Sequence, residues 1–110
     1  KKILKWHKKY PNVYLEIGAT WPDEIGTLRK LTKAMLFLVA GIGAQGGDLE
    51  GTLKNGLIPP SLSFSPFDKL KVNSWESRSG LIISSSRSII YDQDPRLAAQ
   101  KLRDEINKYR

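Results

Sequence analysis

Cysteine is absent from this chain of 110 residues. No disulfide, thiolate metal site or cysteine nucleophile can therefore be built from it. Histidine occurs once, at position 7, and no metal-ligand spacing is present, so no metal is expected. Long apolar runs are missing too: the longest, Met35 to Ile42, is far too short to cross a bilayer. The opening lysines lead into Trp6-His7-Lys8-Lys9 and not into an apolar core, so no secretory signal and no membrane are expected, and the expected compartment is the cytoplasm.

Acidic residues are outnumbered, 11 against 18 basic ones, which leaves a net charge of +7. Such a surface attracts anions in general. The basic residues are not interleaved with aromatics in a recognisable nucleic-acid motif, so the charge speaks more for general solubility or a small phosphorylated ligand than for nucleic acid. A hydrophobic share of 40% and a charged share of 26% fit an ordinary globular domain, and the chain is long enough for one.

Along the chain, Ile3, Leu4, His7 and Tyr10 recur at helical spacing between lysines, as the end of an amphipathic helix that begins upstream. Pro11-Asn12 stops it. Residues 13–19 (VYLEIGA) read as a strand, with Glu16 facing a sheet interior or its rim. Thr20 to Glu24 opens a second helix, with proline in the first turn and acids at the positive end. Ile25, Leu28 and Leu31 are its expected buried stripe, and Gly26 weakens it. Residues 36–39 (LFLV) form a strand apolar on both faces, as in a parallel sheet. A short helix follows with Leu49 and Leu53 inward, closed by Asn55-Gly56 as a left-handed cap. A proline- and serine-rich excursion occupies about 57–79, then Leu81-Ile82-Ile83 forms the last strand. Asp94-Pro95 starts the final helix, whose stripe is Ala98, Leu102, Ile106 and Tyr109. Strict alternation predicts a single α/β domain over 1–110, with about three parallel strands and flanking helices. His7, Trp6 and Trp75 read as packing or structural residues.

Two loops after consecutive strands are dressed for an anion. Gly41 to Gly47 is dense in glycine, so several N–H groups can approach one oxyanion, and the loop leads into a helix N-terminus. Ser84-Ser85-Ser86-Arg87 offers hydroxyls and a forked guanidinium. In a barrel of alternating strands and helices, the loops after the last two strands commonly hold a phosphate. Gly41-x-Gly43-x-x-Gly46 also satisfies the dinucleotide fingerprint, but the second strand with a terminal acid that this fingerprint needs is replaced by the proline-serine stretch.

The run Leu38 to Asp48 (LVAGIGAQGGD), followed by Leu81 to Tyr91 (LIISSSRSIIY), resembles the orotidine 5'-phosphate decarboxylases, and Gly18-Ala19-Thr20 with Pro22 extends the likeness. It covers nearly the whole chain outside 57–79. The resemblance implies the C-terminal portion of a TIM (β/α)8 barrel and a lyase of pyrimidine biosynthesis that turns orotidine monophosphate (OMP) into uridine monophosphate (UMP) and carbon dioxide without a cofactor. It further implies that Gln45 and the amides of Gly46 and Gly47 contact the substrate phosphate, with Arg87 and the Ser86 amide clamping it from the next loop. Ala40 departs from the family's usual proline. The family's alternating lysine and aspartate network, an Asp-x-Lys-x-x-Asp pattern at early strand ends, has no match here; Lys69 and Lys71 after Asp68 do not reproduce it. No catalytic residue is therefore assigned. The expected partners are a nucleotide monophosphate and either an N-terminal barrel half or a second copy. The alternatives are a non-catalytic phosphate-binding half barrel and a basic nucleic-acid binder.

Overall fold

A computed structural model describes residues 1–33, 35–43, 47–58 and 80–109 of the chain. The elements in order are α1 (Lys2–Lys9), β1 (Leu15–Gly18), α2 (Pro22–Thr32), β2 (Phe37–Ala40), α3 (Leu49–Gly56), β3 (Leu81–Ser84), a single turn of helix α4 (Arg87–Ile90) and α5 (Pro95–Asn107). The expected alternation of strands and helices is present, with α4 as an addition. The expected excursion at 57–79 lies outside the described residues apart from Leu57 and Ile58, and Trp75, Asp68, Lys69 and Lys71 lie outside them too.

The three strands form one parallel sheet in the order β1-β2-β3. Leu15, Phe37 and Leu81 share one row across the sheet, and Ile17, Val39 and Ile83 share the next but one. This face carries the core: Phe37 and Val39 are fully buried against Ile25, Met35, Ile42 and Leu53. The opposite face carries Glu16, Leu38 and Ile82 in one row and Gly18, Ala40 and Ser84 in another. Ile82 is half exposed there, and helices cover only the first face. A strand apolar on both sides, like β2, is thus covered on one side by the described residues.

Helix α2 corrects the expected stripe. Ile25 is buried and Leu28 half-buried, but Leu31 is 62% exposed. The spacing i, i+3, i+6 drifts off a helix face, whereas i, i+4, i+7 stays on it. Arg29 and Thr32 hold those positions and are buried. The Arg29 guanidinium lies over the Phe37 ring at 3.9 Å. It donates to four backbone carbonyls: Nε to Gly56 O (2.7 Å), Nη1 to Lys33 O (2.8 Å) and Met35 O (2.6 Å), and Nη2 to Gly80 O (2.9 Å). These carbonyls end α2 and α3 and precede β2 and β3, so one side chain ties together the N-terminal end of the sheet.

Helix α3 corrects the expected cap. Gly56 is its last residue and is not left-handed; the positive-φ glycines are Gly41, Gly43 and Gly80. Its small size serves packing instead, because a Cβ there would lie 3.0 Å from both Leu81 methyls and 3.1 Å from Ile25 Cγ2. Asp48 caps the other end by accepting from the Gly51 amide at 2.9 Å. Helix α5 matches expectation, with Asp94 accepting from Leu97 N (3.0 Å) and Leu102, Ile106 and Tyr109 packed against the core. In α1, Ile3 packs on the core and His7 Nδ1 donates to Val13 O at 2.6 Å, a structural role. Trp6 is 55% exposed and does not pack as expected, in a helix that has no fully buried residue.

Candidate functional site

Parallel strands bring the loops that follow them to one edge of the sheet. The edge here is formed by Gly18, Ala40 and Ser84, and the loop after β2 pairs with itself in an isolated bridge between Ile42 and Gly47. Ala19 N donates to Ala40 O (2.9 Å), so the exit of β2 is pinned although no proline stands there. Gly41 and Gly43 sit at φ 90 and φ 82, a region that only glycine enters freely. Gly47 is needed for a different reason: a Cβ would run into Gly41 O and lie 2.8 Å from Ala19 Cβ. Its amide donates to Gly41 O (3.1 Å), which closes the loop on itself. Gln45 and Gly46, the other expected phosphate contacts of this loop, lie outside the described residues.

The second loop meets the first. Ser85 Oγ donates to Ile42 O at 3.3 Å and is 2.5 Å from Ser88 Oγ. Ser88 in turn packs on Gly43, where a Cβ would lie 3.0 Å from its hydroxyl. An open cavity of about 350 Å³ lies where the loops meet α5, with Gly43, Gly47, Ser85 and Ser88 in its wall together with Asp92, Lys101 and Glu105. Ser86 caps the single turn α4, and its carbonyl accepts from Ile89 N and Ile90 N. The amides of Arg87 and Ser88 in that first turn have no intrahelical acceptor. Arg87 is exposed, does not line the cavity, and its guanidinium has no hydrogen bond or ion pair among the described residues.

The structure thus brings Gly47, Ser86 and Arg87 to the same edge of the sheet, on loops that touch. Sequence reasoning took the serines as generic donors and missed that Ser85 and Ser88 hold the loops together. Their spacing of three across a helix start was the available signal. Among the described residues no group of three or more histidines and acids is placed to hold a metal, and no helix is long and apolar enough to cross a membrane.

No family model matches the chain. An orotidine 5'-phosphate decarboxylase of Azoarcus sp. is 42% identical over 106 residues, covering 90% of this chain and 33% of that protein. Another, from Dehalococcoides mccartyi, is 36% identical over 118 residues, covering 99% and 36% respectively. Among solved structures, the UMP synthase of Leishmania donovani superposes with a TM-score of 0.73 at 36% identity, covering 97% of this chain and 20% of that one. The chain spans about a third of the length of the curated relatives it matches. By sequence and by fold, the chain is a relative of the orotidine 5'-phosphate decarboxylases and corresponds to the C-terminal part of their barrel.

Proposed function

We propose that this chain is the phosphate-gripping portion of an orotidine 5'-phosphate decarboxylase acting in the cytoplasm, a single partial barrel that binds a nucleotide monophosphate and is inactive alone. The observation that carries the reading is the contact between the Gly41–Asp48 loop and the Ser85–Ser88 loop at the C-terminal edge of adjacent parallel strands. Arg87 supplies the fork, and amides at the start of α4 supply fixed donors. Gln45 and Gly46 are the proposed contacts from the other loop, while the Gly47 amide already donates to Gly41 O and shapes that loop. A guanidinium without a competing carboxylate is free to take a phosphate in two-pronged fashion.

Inactivity alone follows from charge. On the open face of the sheet, Glu16 is the one ionisable residue among the six strand positions. An alternating array of lysines and aspartates is what the decarboxylation needs. The same observation supports the second reading, a half barrel that binds phosphate without catalysis. Binding that responds equally to inorganic phosphate and to UMP favours that second reading.

Calorimetric titration with UMP tests the site. A hydrogen bond to a charged group contributes about 1.5–3 kcal/mol. Arg87→Ala is therefore expected to weaken binding roughly ten- to a hundredfold, at about 1.4 kcal/mol per factor of ten. Arg87→Lys is expected to recover only part, because an ammonium lacks the planar fork. Unchanged affinity in Arg87→Ala would overturn the assignment.

A further inference from the structure

Ser85 and Ser88 stand between the two loops, and the proposed grip does not use their hydroxyls. Their hydrogens can be accounted for one by one. A serine hydroxyl donates once and accepts twice. Ser85 is within 3.3 Å of Ile42 O, which can only accept, so its hydrogen goes there. The Ser85–Ser88 pair at 2.5 Å must then run with Ser88 donating to Ser85 Oγ. The result is a directed chain, Ser88 O–H to Ser85 O–H to the Ile42 carbonyl, and each bond polarises the next. Ile42 lies between Gly41 and Gly43, both at positive φ. Gly43 also abuts Ser88, so the chain is backed by contact: its missing Cβ leaves the room that the Ser88 hydroxyl occupies.

We infer that Ser85 and Ser88 are positioning residues, a latch that holds the Ile42–Gly43 start of the glycine loop against the loop that carries Arg87. The inference rests on the phosphate reading above and adds what sets its geometry. The glycine loop cannot set that geometry itself. Glycines permit its shape but do not hold it, since they lose the most backbone freedom on ordering. Its self-contact, Gly47 N to Gly41 O, closes the loop without orienting it toward β3. Among the described residues, the hydrogen bond from the Ser85 hydroxyl to Ile42 O is the one that joins the two loops. Ser85 is half-buried and Ser88 exposed, so small replacements at either leave the core untouched.

The test is UMP affinity by calorimetry in the 110-residue chain, with thermal midpoints read alongside. Ser85→Ala removes both bonds of the chain and is expected to weaken binding on the order of three- to tenfold. Ser88→Ala removes one bond and is expected to weaken it less. Ser85→Thr keeps the hydroxyl and is expected to restore most of the affinity. The decisive arm is the double variant Ser85→Ala with Arg87→Ala. A latch that works by holding the loop against Arg87 loses its value once Arg87 is gone, so the Ser85→Ala factor should shrink toward one. A merely structural serine gives the same factor in both backgrounds. Equal factors overturn the latch, as does parent-like affinity in both Ser85→Ala and Ser88→Ala. If Arg87→Ala weakens binding and the serine variants do not, the phosphate site stands and the latch falls. If Arg87→Ala binds like the parent, both fall.

Discussion

At the scale of single residues, Arg29 is the side chain on which the fold depends most. It is 4% exposed and has no carboxylate partner among the described residues. A buried charge is tolerated only when its donors are used, and here four backbone carbonyls take them. Burial pushes the guanidinium down to about 10, so it keeps its proton at neutral pH. A cation with a lowered folded pKa gains relative stability only as pH rises through that value toward the unfolded one. Below about 10 both states hold the proton, and Arg29 adds no pH dependence. Arg29→Ala strands buried carbonyls at about 1–3 kcal/mol each and is expected to cost at least ~3 kcal/mol in chemical denaturation. Arg29→Lys is expected to recover less than half, since one ammonium cannot reach carbonyls on both helices and both strands. A loss below about 1 kcal/mol in Arg29→Ala would show that the clasp is incidental. Nothing in the local sequence distinguished Arg29 from the solvated Lys30 beside it, because its partners come from Gly56 and Gly80, far along the chain. The position of Arg87 just past the last strand, by contrast, was legible, because it follows a serine run directly after an apolar stretch.

At the scale of elements, α3 shows how helix packing reshapes local preference. Gly26 looks costly in isolation, yet it lets α2 approach α3, where a Cβ would lie 2.8 Å from Asn55 Oδ1. Thr52 sits on the same helix, fully buried, and its hydroxyl has no partner. An unsatisfied buried hydroxyl is a standing cost, and valine has nearly the same shape and helix propensity. Thr52→Val is expected to stabilise the chain by about 1 kcal/mol, read as a higher denaturation midpoint at unchanged slope. A lower midpoint would mean that the hydroxyl has an acceptor. The elements themselves were readable because apolar runs, prolines and the Asp48 and Asp94 caps mark them locally. What could not be read was which helical positions face inward when a polar residue is buried, as at Arg29 in place of Leu31, or that Gly56 is small for packing and not for a turn.

At the scale of the molecule, the sheet is covered on one face and open on the other. Leu38 and Ile82 follow Glu16 in one row there, an apolar floor that a closed barrel would enclose. Parallel strands also leave the outer edges of β1 and β3 without partners in this sheet. Both features fit part of a larger barrel. The proposed function is a grip without chemistry: binding at the phosphate accelerates a reaction only when charged groups at the reacting carbon can use it. The most direct measurement is the loss of ultraviolet absorbance of OMP, first with the 110-residue chain alone and then with a polypeptide carrying the early barrel strands. The expected result is no decarboxylation above background alone, activity on mixing, and its reduction by Arg87→Ala. Robust turnover by the chain alone would contradict the account and return attention to Asp68, Lys69 and Lys71.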